Sequence, residues 1–199
     1  MNKVFFQQHR SVILLATAIA ISAVGISRAS APISAAQLQS AQHATAPAAA
    51  AASAALLSAE ELQKIIPASV FFRGQSSTVQ YRNAGGIRFP GGELLFAVKV
   101  DTGGYSTSIQ ERYQDYFVSE VPIQFGSHTL PAGAYGVGFV GSSLLVLDLG
   151  AHTIFTVPVT TDSALRRPRP LQIIKAPDSG AYRLYSGKQY VQFTQAAAQ

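Results

Sequence analysis

The 199-residue chain has no cysteine, only 13% charged residues and a formal net charge of +5. Without thiols it can form neither a disulfide nor a thiolate metal centre nor a lipid-modified cysteine, so its fold must rest on an ordinary apolar core. The positive balance is not a nucleic-acid footprint: Lys3, Arg10 and Arg28 fall in a leader expected to be removed, and without them the net charge drops to +2.

That leader opens the chain. Lys3 and Arg10 precede an apolar run from Val12 to Ile26, and small residues follow around Ala29 and Ala31. This is the three-part layout of a secretory signal peptide, residues 1–29, and it places the mature protein in a periplasm or outside the cell. The run is shorter than the ~20 residues of a membrane-spanning helix, so no stable transmembrane span is expected after cleavage. A cut after Ala29 is favoured because a cut after Ala31 would leave Pro32 just beyond the scissile bond.

From Ser30 to about Ala55 the chain is mostly Ala, Ser, Gln and Pro with no apolar stripe, and residues 30–57 read as a disordered tether. Order is expected from residue 58. Ser58 and Glu61 have capping-box spacing, Leu57 and Leu62 have staple spacing, and Pro67 ends the short helix after Ile66. Leu62, Ile65 and Ile66 share one face, which should dock on something apolar.

Beyond Pro67 the pattern changes to short apolar or alternating runs. Strands are expected at Val70–Arg73, Thr78–Arg82, Leu94–Val100, Tyr113–Glu120, Pro122–Phe125 and Ala134–Val140. Further strands are expected at Leu144–Leu149, Thr153–Val159, Leu171–Lys175, Tyr182–Tyr185 and Tyr190–Thr194. In "SIQERYQDYFVSE" only the second half is assigned to a strand. Turn clusters separate the runs: "NAGG", "PGG", "DTGG", "PAG", "GSS", "GAH" and "PDSG". Recurring at ~8–12 residues, they indicate an all-β fold, one antiparallel sandwich or barrel of about 9–11 short strands over residues 58–194, with a tail at 195–199.

In the last hairpin, matching faces set Leu184 against Val191, Tyr182 against Phe193, Arg183 against Gln192 and Tyr185 against Tyr190. The connection is then a four-residue loop, Ser186–Gln189, with the two tyrosines outside.

Gly136, Gly138 and Gly141 fit the spacing of a dinucleotide fingerprint, which needs a strand before and a helix after. A turn, "LPAGAY", precedes them and the β-like run "SSLLVLDLG" follows, so no cofactor is expected. On a strand, Ala134, Gly136 and Gly138 form a smooth face opposite Tyr135, Val137 and Phe139. That face either admits a close neighbour or floors a ligand pocket.

"VDTGG" at Val100–Gly104 resembles the catalytic triplet of aspartic proteases, with "FVG" at Phe139–Gly141 loosely like their apolar partner motif. The resemblance implies a homodimer in which Asp101 shares a proton with its counterpart. Lys99 and Gly104 depart from the pattern, and a turn explains the same residues without chemistry. His128, His152 and Asp148 could meet at a metal only if separate turns converged; no metal site is expected.

"LRRPRPLQ" carries Arg166, Arg167 and Arg169 between prolines, the densest positive charge of the mature chain. Arginine forks suit the phosphates or carboxylates of an anionic envelope polymer, though a charged loop also serves solubility alone. Tyr185 and Tyr190 form either an aromatic platform or a stabilising cross-strand pair.

The segments "VPIQFGSHTLPAGAYGVGF", "LDLGAH" and "RRPRPLQII…GAYRLYSGKQYVQF" are similar to uncharacterised secreted bacterial β-rich proteins with an LPAGxY hairpin. The resemblance implies export and a β-rich fold and assigns no site residue. The functional expectation is an exported, non-catalytic β domain that binds a small apolar ligand or an envelope component; the alternative is a hydrolase built on Asp101.

Overall fold

The computed structural model describes residues 53–177 and 180–197; the expected signal peptide and residues 30–52 of the expected tether lie outside them. In chain order the elements are β1 (Ala55–Leu56), α1 (Ala59–Ile65), β2 (Ser69–Phe72), β3 (Gln75–Arg88), β4 (Leu94–Val100), α2 (Thr107–Gln110), β5 (Asp115–Ser119) and β6 (Ile123–Phe125). They continue with β7 (His128–Leu130), β8 (Gly133–Val140), β9 (Ser143–Leu147), β10 (Thr153–Pro158), β11 (Thr160–Thr161), β12 (Arg169–Lys175), β13 (Tyr182–Gly187) and β14 (Gln189–Gln195). Every expected strand is present. The additions are three pieces of two or three residues, β1, β7 and β11, too short to carry a periodic signal.

The strands form two antiparallel sheets packed as a sandwich rather than a closed barrel. One runs β1-β3-β4-β5-β8-β9-β10, with β2 also on β3; the other runs β12-β13-β14-β6-β7, with β11 also on β14. Between them lies the main core. Leu95, Ala97, Phe117, Val137, Phe139, Leu144 and Val146 of the first sheet meet Ile123, Phe125, Leu171, Ile173, Leu184, Val191 and Phe193 of the second. Phe117 and Phe193 meet edge to face at 6.4 Å, which ties β5 to β14. Pro158 closes β10 and Pro170 falls in the bulge near the start of β12; both strands are terminal in their sheets, the places where proline is tolerated.

The outer face of the first sheet is covered twice. α1 forms where expected: Ser58 Oγ accepts the Glu61 N–H at 3.3 Å, and Glu61 Oε2 accepts the Ser58 N–H at 2.8 Å. Leu57, Leu62 and Ile66 pack on Ala84, Phe96 and Val98. Farther along, Phe72, Tyr105, Ile109 and Tyr113 pack with Val100 and Leu147, and the first half of "SIQERYQDYFVSE" supplies α2 to this cluster.

"NAGG" is not a turn. Asn83–Gly86 lies within the 14-residue β3, and Gly85 and Gly86 are both buried. A Cβ at Gly85 would stand 2.5 Å from the backbone nitrogen of Ile173 in the opposite sheet; one at Gly86 would stand 2.8 Å from Leu62 of α1. Neighbouring glycines thus let a strand and a helix close in from opposite sides.

The last hairpin has the expected register, but its ladder runs one pair further, to Ser186↔Gln189. The loop therefore shortens to Gly187-Lys188. Gly187, at φ 60°, takes the first central position of the turn, the glycine place of the two-residue type II′ connection.

Candidate functional site

The loop from β11 to β12 carries Arg166 and Arg167, with Arg169 as the first residue of β12, and is tied down at its head. Asp162 Oδ1 accepts the N–H groups of Ala164 and Leu165 at 3.0 and 3.2 Å, and its Oδ2 accepts the Tyr185 hydroxyl at 2.8 Å. The Asp162 N–H donates to the Lys188 carbonyl at 2.8 Å, joining the loop to the hairpin turn. Arg183 Nη1 stands 4.0 Å from Asp162 Oδ2. The Tyr185 hydroxyl above all, then the two N–H groups and Arg183, hold the Asp162 carboxyl below the usual range.

Arg166, Arg167 and Arg169 are exposed, and among the described residues none makes an ion pair. Arg169 pairs across the ladder with Gly187, which sets Lys188 at the same end of the sheet. Asp162 is already committed to Tyr185 and Arg183, so this end offers unneutralised cations from a pinned backbone.

Tyr185 and Tyr190 are 5.1 Å apart, as their cross-strand register requires, but do not form an outward platform. Tyr185 is only 2% exposed beneath the segment that starts the arginine loop, and the Arg183 guanidinium covers one face of Tyr190 at 4.5 Å. The position reads as exposed in a bare hairpin; it is buried because β11 pairs with Gln189 and Tyr190 and brings Asp162 over it.

A cleft of about 180 Å³ lies beside this loop, along an unpaired stretch of β3. On the side of β3 away from β4, β2 pairs with Gln75–Thr78 and β1 with Ile87 and Arg88, which leaves the middle without a strand neighbour among the described residues. Within that stretch the ladder to β4 shifts between Gln80 and Ala84, so Tyr81, Arg82 and Asn83 bulge out. The cleft is lined by Leu56, Leu57 and Leu62 on one side and Ile173 on the other, with Arg82 and Arg169 also in its wall. Gln172 lines it too, and its Nε2 is buried with no hydrogen-bond partner among the described residues.

The space over the smooth face of β8 is filled by the chain itself. A Cβ at Gly136 would meet the Phe72 and Tyr113 rings, which stack at 3.8 Å, and one at Gly138 would meet the Arg112 backbone carbonyl. Close approach therefore accounts for both glycines, and no room for a ligand stands above them. Gly141, at φ 59°, begins the β8–β9 turn, and a strand rather than a helix follows it.

Asp101 Oδ1 accepts the Gly103 N–H at 3.1 Å within the turn after β4. Asp148 plays the same part after β9, accepting the N–H groups of Gly150 and His152 at 2.8 and 2.9 Å, while its Oδ2 lies 3.0 Å from His152 Nδ1. These contacts, the His152 backbone first, lower the Asp148 carboxyl. His128 is the first residue of β7 rather than a turn residue and stacks on Phe155 at 4.7 Å. Among the described residues no group of three or more His, Cys, Asp or Glu side chains is placed to hold a metal, and no helix is long and apolar enough to cross a membrane.

The sequence gives one missed signal, the Asp162-Ser163-Ala164 turn start; Arg82, Gln172 and Lys188 join the site only through long-range pairing. No family model, curated protein or solved structure matches the chain.

Proposed function

We propose that this chain is an exported, non-catalytic β-sandwich that binds an anionic component of the cell envelope through the arginine loop Leu165–Arg169. The observation that carries the reading is the pairing of exposed, unpaired Arg166, Arg167 and Arg169 with a loop head fixed by Asp162. Fixing the backbone beforehand lowers the ordering cost of binding, and guanidinium forks match carboxylate and phosphate oxygens. Export is supported by the leader at residues 1–29. Recognition at the surface is favoured over an enclosed apolar pocket. Among the described residues, open clefts of about 180, 240 and 270 Å³ fall below the ~300–1,000 Å³ of sites that engulf a drug-sized molecule.

The test is retention on immobilised polyglutamate and polyphosphate across a sodium chloride gradient. Wild type should be held at low salt and released as screening rises. Replacing Arg166, Arg167 and Arg169 together by Ser should abolish retention with the thermal transition unchanged. Equal retention of the triple variant would overturn the proposal.

A further inference from the structure

Resting on that reading, we infer that the anionic component is a single-chain acidic amphiphile, its acid group held between Arg82 and Arg169 and its alkyl chain laid along the unpaired stretch of β3. Three features converge on this chemistry. Arg169 belongs both to the arginine segment and to the cleft wall, so it joins the basic surface to a cleft that has leucine side chains in its lining. Arg82, placed there by the β3 bulge, is exposed and without an ion pair among the described residues. Gln172 Nε2 in the same wall is a donor with no partner among the described residues, and an oxygen of a ligand brought against it would supply an acceptor.

The apolar part of the trough argues for an alkyl chain rather than a purely polar anion. Leu57 and Leu62 line it at their largely buried edges, and Leu56 stands 46% exposed. A large side chain left in water beside a cationic rim is what an amphiphile's first methylenes would cover. At about 180 Å³ the trough has room for part of one chain and not for a double-chain lipid body.

The experiment is calorimetric titration with decyl phosphate below its micellar range, set against inorganic phosphate and decyl maltoside. Decyl phosphate should bind about tenfold more tightly than either, since neither comparison compound offers both the charge and the chain. Two variants probe the trough. Ala59→Trp fills its mouth from an exposed helix position, and Leu56→Ser removes the apolar lip. Each should weaken decyl phosphate about fivefold or more and leave polyglutamate retention as in wild type. Arg169→Ser should weaken both. Decyl phosphate binding no tighter than phosphate, or unchanged by both trough variants, overturns the inference. If the triple arginine variant still loses polyanion retention in that case, the proposed function survives without it; if retention is also unchanged, both fall.

Discussion

The Tyr185 hydroxyl donates to Asp162 Oδ2 at 2.8 Å, and through this one bond a buried ring on the last hairpin holds the head of the arginine loop. Tyr185→Phe keeps the ring and deletes the bond. Hydrogen–deuterium exchange at Ala164 and Leu165, whose N–H groups rest on Asp162 Oδ1, should then accelerate several-fold, while exchange in β4 and β5 stays as in wild type. Unchanged exchange at these two amides would mean the loop is held by its backbone alone.

Asp115 is wholly buried, with Lys99 Nζ at 3.2 Å from one oxygen and no partner on the other among the described residues. Burial raises its carboxyl to about 6 against the pull of Lys99. A carboxyl raised in the fold binds its proton more readily there than in the unfolded chain, so this group adds stability as pH falls through about 6 toward the ordinary carboxylate range. Asp162 has the opposite sense: its contribution is present above that range and is lost as pH falls through its lowered value. Urea unfolding of Asp115→Asn should show the variant more stable than wild type at pH 7.5, on the order of 2 kcal/mol, with the gap falling to roughly a third by pH 4.5 and closing only below the ordinary carboxylate value. A gap that does not change with pH would remove Asp115 as its source.

Gly85→Ala should lower the thermal midpoint by several degrees, about 1–3 kcal/mol, because the new methyl meets the Ile173 backbone, which cannot turn aside. Gly104→Ala is the control. Its methyl would meet only the Gln75 side chain at 3.6 Å, and a change within about 0.5 kcal/mol is expected. Equal effects at both positions would refute the close-approach account of Gly85.

The comparison of glycines shows what the sequence conveys and what it withholds. Strand faces, the capping box at Ser58 and the register of the final hairpin are local matters of period and spacing, and each is legible in the chain. "NAGG" has the composition of a turn, yet the feature that makes it small is Ile173, some 88 positions away, and no local rule reports that neighbour. Tyr185 misleads for the same reason: a hairpin considered alone has no Asp162 above it. The arginine loop was visible as charge, whereas the trough beside it depends on β1, a two-residue strand, and on a bulge in β3 that only pairing with β4 defines.

An open sandwich has raw margins, and two of them here end in imino acids. Pro158 on β10 and Pro170 on β12 offer a neighbouring molecule no N–H to extend its ladder. Each proline interrupts the row of donors along its margin, which disfavours edge-to-edge pairing between molecules at that point.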